Sequence, residues 1–378
     1  MARFGFLSTF PPTRCGLATF TAALAGAMTR DSEHDAIVIR VDDLVPAGAS
    51  VDTVDVRVTG MLRPGDVIDR ADAAERLNEC DLVIVQHEYG IYGGRDGDEV
   101  LDLLMRIRRP TIVVMHTVLA SPSPHQRSLL QQIAERADAV VVMTRTARTL
   151  LIDEYAVPTR HVQVIPHGVD AWTAGDAVPH AARPVVLTWG LLGPGKGIEW
   201  GIRALAELTD LHPRPLYRVL GQTHPKVLME HGEEYRGQLL ALADQLGVGG
   251  DVEIDGRYQE IDDLALQVAA ADLVLLPYDS REQVTSGVLT EAVAAGKLVI
   301  ATRFPHALEL LSDGRGMLVG HERPHEIAQA IRDAVSDPYL AALAAERARA
   351  AVAADSWPTV AERYRSLGAG LVANEVRT

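Results

Sequence analysis

The feature that most constrains this chain is a repeating change of rhythm. Short runs of Val, Ile and Leu without polar alternation are each followed by a longer stretch with helical spacing. A strand that is apolar on both faces must be covered on both faces, and the intervening amphipathic stretches are the elements available to cover it. The rhythm predicts strands at 3–7, 36–41, 82–86, 111–115, 139–143 and 162–165, with helices at 18–28, 69–78, 98–108 and 145–154. It pauses at His167-Gly168-Val169-Asp170 and through 173–184, which is rich in Ala, Gly, Pro and His. A second series then predicts strands at 185–189, 216–220, 252–254, 273–276, 298–301 and 317–319. Its helices are expected at 198–208, 234–246, 287–295, 325–336, 339–353 and 358–367. Strands alternating with helices give an α/β protein with parallel sheets and crossover helices on both faces.

A chain of 378 residues suits two such domains better than one. The expected division is an N-terminal domain over 1–170, a linker over 171–184 and a second domain over 185–355. A final helix in 356–378 is expected to return to the N-terminal domain. Two tandem units of this kind make a cleft, and open α/β sheets bind ligands beyond the carboxyl ends of their strands.

The formal net charge is −15 and no run of Lys or Arg interrupts it, which argues against a nucleic-acid partner. A small anion is not excluded, since a few donors in one cleft outweigh a distant acidic surface. The two cysteines, Cys15 and Cys80, fit neither a disulfide framework nor a zinc spacing. The apolar start is too short for a signal-peptide core, and no run approaches the roughly 18 apolar residues of a membrane span. The expectation is a cytoplasmic protein with reduced thiols and no transmembrane segment.

The most informative motif is Trp189-Gly190-Leu191-Leu192-Gly193-Pro194-Gly195-Lys196-Gly197, between an expected strand and an expected helix. Glycines let backbone N–H groups approach an oxyanion, the helix N-terminus adds partial positive charge, and Lys196 adds a full one. Gly190, Gly195 and Lys196 satisfy G-x-x-x-x-G-K, but a P-loop needs Ser or Thr next for magnesium, and position 197 is glycine. The motif therefore reads as a phosphate site without a P-loop's metal; a glycine-rich turn with a solvated lysine is the plainer alternative.

A second motif runs from Thr285 to Gly296. Ser286 is a good N-cap and Gly296 a good stop, so a short helix offers the N–H groups of its amino end to an anion. Glu291 lies one turn deeper on the face of Gly287, where a ribose would sit, and carboxylates accept hydrogen bonds from paired hydroxyls well. In a third cluster, Gln86 to Arg95, the polar groups of His87 and Glu88 stand with Tyr89, Tyr92 and three glycines after a strand. That composition suits a sugar-binding loop and is assigned to the acceptor, together with Arg14; the alternative is a tight turn whose tyrosines only pack.

Taken in order, these segments resemble the retaining GT-B glycosyltransferases of family 4, the group 1 glycosyl transferases. The similarity runs through Gly16, the His116 strand end, Ile165-Pro166-His167-Gly168-Val169-Asp170, the Lys196 loop, the Ala271–Pro277 strand and the Glu291 helix. It implies the GT-B architecture of two doubly wound Rossmann-like domains facing across a cleft. It also implies a nucleotide-diphosphate sugar donor, with GDP-mannose and UDP-glucose favoured, and a hydroxyl-bearing acceptor that is a carbohydrate, a small molecule or lipid-linked. By the same resemblance Lys196, Gly287 and Val288 bind the diphosphate, Gly16 and Gly195 let backbone approach it, Glu291 holds the ribose and His116 reaches the transferred sugar.

The chain departs from the family pattern twice. The residue eight before Glu291 is Gln283 rather than Glu, with Glu282 one position earlier, so either fills the first-glutamate role. Where relatives carry an arginine before the lysine, this chain has Gly190 and Leu191; Arg14, Arg257 and Arg281 are the candidates to supply that charge. No D-x-D pair stands where a metal-dependent transferase would need it, and no cofactor is called for. The expected activity is metal-independent hexosyl transfer, stabilised electrostatically as the diphosphate leaves. A GT-B-fold nucleotide-sugar epimerase, a P-loop-like hydrolase disfavoured by Gly197, and a non-catalytic nucleotide-sugar-binding protein are the competing readings.

Overall fold

The computed structural model describes residues 2–30, 33–42, 56–170 and 182–375. The chain forms two compact units, Met1–Gly168 together with Asp355–Thr378, and Val169–Ala354. The expected linker over 171–184 falls mostly outside the described residues.

In the first unit β1 (Arg3–Ser8), β2 (Asp35–Val41), β3 (Arg57–Leu62), β4 (Leu82–His87), β5 (Thr111–Met115), β6 (Ala139–Val142) and β7 (Val162–Val164) make one sheet. Its order is β3-β2-β1-β4-β5-β6-β7, and every pairing is parallel. The crossovers carry α1 (Gly16–Thr29), α2 (Val67–Leu77), α3 (Val100–Leu104), α4 (Pro124–Arg136) and α5 (Arg145–Asp153). β4 and β5 are buried along their whole length, as strands covered on both faces must be.

The second unit holds β8 (Val185–Trp189), α6 (Ile198–Ala206), β9 (Leu216–Leu220), α7 (Pro225–His231), α8 (Glu234–Gln245), β10 (Val252–Asp255) and α9 (Ile261–Ala270). It continues through β11 (Leu273–Leu276), α10 (Gly287–Ala294), β12 (Leu298–Thr302), α11 (Pro305–Leu311), β13 (Met317–Val319), α12 (Pro324–Ser336) and α13 (Pro338–Val352). Its parallel sheet runs β10-β9-β8-β11-β12-β13. Ile198, Ile202, Tyr217, Leu275 and Ile331 fill one face, and Leu187, Val274, Leu289, Val299 and Phe304 the other.

The last helix, α14 (Trp357–Glu375), belongs to the first unit. Its Trp357, Val360, Ala361 and Tyr364 join Phe4, Phe20, Leu24, Met28 and Ile84 in one buried cluster. Arg365 Nη1 donates to the carbonyls of Ala27 and Met28 at 3.4 and 3.1 Å, satisfying acceptors at the end of α1.

Both sheets are doubly wound, with strand order reversing between β1 and β4 and between β8 and β11. Loops leaving the carboxyl ends of these strand pairs line a crevice, the usual ligand position in such folds. Three local expectations need correction. The helix expected over 98–108 shrinks to α3, which the chain enters after a turn at Asp96 (φ 53°) and Gly97 (φ 81°). Strand β3 and helices α4, α7, α9 and α11 were not anticipated, and α14 extends well beyond its expected end.

Candidate active site

In the second unit the site grows from the ends of β8 and β11. Gly190 follows β8, its N–H donated to Leu220 O at 3.0 Å. The loop then turns through Gly195 (φ +89°) and Gly197 (φ +64°) into α6. A Cβ at Gly197 would collide with the Pro277 carbonyl, so only glycine fits there. Two bonds pin the loop to the segment after β11: Asp279 N–H donates to Gly195 O at 3.0 Å, and the Trp200 indole to Asp279 Oδ1 at 2.7 Å.

That anchoring leaves the Lys196 ammonium 4.5 Å from the centre of the Tyr278 ring, a contact that stabilises a cation with few polar partners. Burial pulls the ammonium down to about 8. Tyr278, 1% exposed, stacks on Phe304 at 5.4 Å, and its phenol end lies beside the Ser286 side chain.

Ser286 caps α10, its Oγ accepting from Leu289 N–H at 3.2 Å and its carbonyl from Thr290 N–H at 3.2 Å. A helix start leaves its first amides without intrahelical partners. Among the described residues no acceptor takes those of Gly287 and Val288. The Val288 side chain lies against Gly190, where a Cβ would meet its Cγ2 at 3.7 Å. One turn on, Glu291 lies beside the Trp189 side chain at the end of β8. Burial pushes its carboxyl up to about 7 despite the neighbouring Trp189 side chain, which favours the charged form, and the charge of Asp170 adds to the rise.

Thus Gly190, Lys196, Ser286, Gly287, Val288 and Glu291 converge on one face of the second unit, as two cationic or amide donor sets and one carboxylate. Gln283 lies on the approach to α10 with its amide Nε2 donating to Thr285 O at 3.2 Å; Glu282 is partly buried on the same segment. Arg257 and Arg281 are exposed and engaged with Asp255 (2.6 Å) and Glu322 (3.7 Å). Sequence reasoning missed Trp189 and Tyr278 as partners of Glu291 and Lys196, because no local pattern links residues so far apart.

In the first unit Gly16 opens α1, and Arg14 stands exposed in the loop before it. His116 follows β5, its Nε2 2.7 Å from Gln86 Oε1 and its ring edge-on to Phe20 at 4.9 Å. Phe20 also meets the rings of His167 (5.1 Å) and Trp357 (5.2 Å). Burial first, then the neighbouring His167 and His87, pushes His116 down to about 3. Burial also takes His167 and His87 to about 4, so the cluster is neutral at physiological pH.

The expected acceptor loop is only partly presented. His87 is not in a loop: it pairs with Met115 as the last residue of β4 and is 0% exposed. Neither of its ring nitrogens finds a hydrogen-bond partner among the described residues. Glu88 accepts from Thr117 Oγ1 (2.6 Å) and from Tyr89 N–H (2.9 Å), while the Tyr89 ring packs edge-on to His87 at 5.3 Å. Tyr92 is buried, donating to Gln86 O at 2.7 Å. Among the described residues, no group of three or more His, Cys, Asp or Glu is gathered as metal ligands. No described helix is long and apolar enough to cross a membrane.

Two doubly wound units, one with a glycine–lysine loop facing an open helix N-terminus, define the GT-B class. The model of the family Glycosyltransferase Family 4 matches residues 15–172, and that of Glycosyl transferases group 1 matches residues 177–351. The chain belongs to this family of group 1 glycosyl transferases. It is 30% identical over 267 residues to the D-inositol 3-phosphate glycosyltransferase of Corynebacterium jeikeium, covering 65% of this chain and 61% of that protein. It is 29% identical over 272 residues to a GDP-mannose-dependent alpha-(1-6)-phosphatidylinositol monomannoside mannosyltransferase of Mycolicibacterium smegmatis, covering 68% and 66%. The matches therefore span less than two thirds of the length of these relatives. In fold it resembles Anabaena HepE, solved with UDP and glucose, with a TM-score of 0.76 at 18% identity over 97% of this chain and 99% of that one.

Proposed function

We propose that the protein transfers a hexose from a nucleotide-diphosphate sugar, GDP-mannose or UDP-glucose, to a hydroxyl acceptor, in the cytoplasm, with retention and without a metal. The observation that carries this is the pairing of the Lys196 ammonium, held over Tyr278, with the two unclaimed amides at the start of α10. As the glycosidic bond breaks, negative charge grows on the departing diphosphate. A fixed cation and oriented amides stabilise it with little reorganisation, which is where electrostatic catalysis is largest. Gly195 and Gly16 let backbone approach the diphosphate, and Ser286 holds the α10 amides in place. Glu291, beside Trp189, takes the ribose hydroxyls, and Glu282 or Gln283 takes those of the sugar. His116 is assigned to the transferred sugar, its neutral ring able to donate or accept a hydrogen bond. Arg14, Glu88 and Tyr89 are assigned to the acceptor. The relatives named above make inositol 3-phosphate and phosphatidylinositol mannosides the first acceptors to try.

Lys196→Ala tests the assignment. It should weaken nucleotide-diphosphate binding by about 1.5–3 kcal/mol, the worth of a charge-assisted hydrogen bond, and leave the nucleoside unaffected. Turnover should survive excess EDTA. Unchanged diphosphate affinity in Lys196→Ala removes the phosphate site, and loss of turnover restored by magnesium or manganese removes metal independence.

A further inference from the structure

We infer that His306 is a positioning residue that aims the phosphate-binding amides of α10; the inference rests on the donor-phosphate reading above. His306 is the second residue of α11 and only 7% exposed. Its Nδ1 accepts the Ser286 N–H at 2.9 Å, and its own N–H donates to Gln283 O at 3.2 Å. One buried side chain and its backbone therefore tie down both ends of the Gln283–Ser286 segment that leads into α10. With Nδ1 accepting, the ring is neutral and carries its hydrogen on Nε2.

The arrangement decides which amides face a ligand. The Ser286 N–H is consumed by His306, and those of Leu289 and Thr290 by Ser286 itself. Gly287 and Val288 are the amides left over. Without the imidazole acceptor, the buried Ser286 N–H has no partner and the segment must shift to find one. Such a shift redirects the two amides behind it.

The same short stretch also serves the lysine. Phe304, two residues before His306 and 0% exposed, is stacked on the Tyr278 ring that carries the Lys196 ammonium. Both halves of the anion site thus take their placement from residues 304–306, where the chain leaving β12 enters α11, a stretch that makes no contact with phosphate in the proposed arrangement.

The test measures binding of UDP and GDP, and of uridine and guanosine, to the full chain by calorimetry. His306→Leu should weaken binding of whichever diphosphate the wild type prefers by about tenfold, the worth of one well-placed hydrogen bond, and leave its nucleoside unchanged. Asn places an oxygen near the position of Nδ1, so His306→Asn should recover most of the loss. Gln places its oxygen further out, so His306→Gln should not. In turnover, donor KM should rise more than kcat falls. Equal binding by the Asn and Gln variants, or equal loss for diphosphate and nucleoside, overturns the inference and leaves His306 a packing residue. Should the Leu variant fail to fold, the Asn–Gln comparison still decides. A wild type that binds diphosphate no better than nucleoside refutes the underlying phosphate site instead, whatever the His306 variants do.

Discussion

Affinity for an intact nucleotide sugar should pass through a maximum between the titrations of Glu291, at about 7, and Lys196, at about 8. Both groups are displaced mainly by burial, in opposite senses, and the proposed ligand needs the charged form of each. The diphosphate needs an ammonium, and a ribose diol donating two hydrogens needs a carboxylate. Apparent affinity scales with the competent fraction, so one pH unit above the lysine's titration leaves about a tenth of the ammonium and costs about tenfold. One unit below the carboxyl's titration costs about as much on the acid side. An intact sugar nucleotide is the right probe, because a free terminal phosphate ionises again near pH 6 and would obscure the acid limb. Calorimetry in buffers of different ionisation enthalpy should show a proton taken up on binding in the alkaline limb and one released in the acid limb. Lys196→Ala should flatten the first limb and Glu291→Gln the second. A wild-type profile flat across both titrations, or a limb that survives its own variant, refutes the assignment of charge to these two residues.

Stability should fall as pH drops from about 6.5 towards about 4. His87, His116 and His167 titrate lower folded than their ordinary 6.5, so the unfolded chain takes up their protons first. Glu291, raised when folded, opposes them with one proton, leaving a net uptake on unfolding of about two; His87→Phe should shallow the slope of urea midpoint against pH, and an unchanged slope contradicts the neutral cluster. Gly197→Ala should lower the thermal midpoint and cost more than ~1 kcal/mol, because it adds a Cβ at positive φ against Pro277. Single-turnover rates should suffer more from Glu282→Ala than from Gln283→Ala, whose amide already serves Thr285; the reverse order gives the sugar-binding role to Gln283.

The strands were legible where burial is complete. β4, β5 and β8 are buried throughout, and only unbroken apolar sequence satisfies that. β3 was not, because Arg57 and Val58 face solvent and Gly60 interrupts it, so its pattern resembles a loop. The start of α4 was readable in principle, since Ser123 and Gln126 form a capping box. α9 gave little signal because Val268 is its one fully buried residue. Around the site, Lys196 and its glycines announce themselves locally through charge and backbone freedom. The Trp189–Glu291, Lys196–Tyr278 and Ser286–His306 pairs are tertiary, and no spacing rule reaches them. His87 was misplaced for a related reason: where both faces of a strand are buried, alternation does not tell where the strand stops.

The return of α14 to the first unit reorders how the molecule can be completed. Trp357, Val360, Ala361 and Tyr364 sit in the same cluster as Phe4 and Phe20, so the unit begun first cannot close its interior until residues 357–364 have left the ribosome. Residues 169–354 are contiguous and can settle while the earlier segment still waits with an open flank beside α1. Folding as units usually runs from the N-terminus; here the order of completion is inverted. A nascent chain halted shortly before Trp357 should therefore protect the later unit from protease and leave the earlier one open to it.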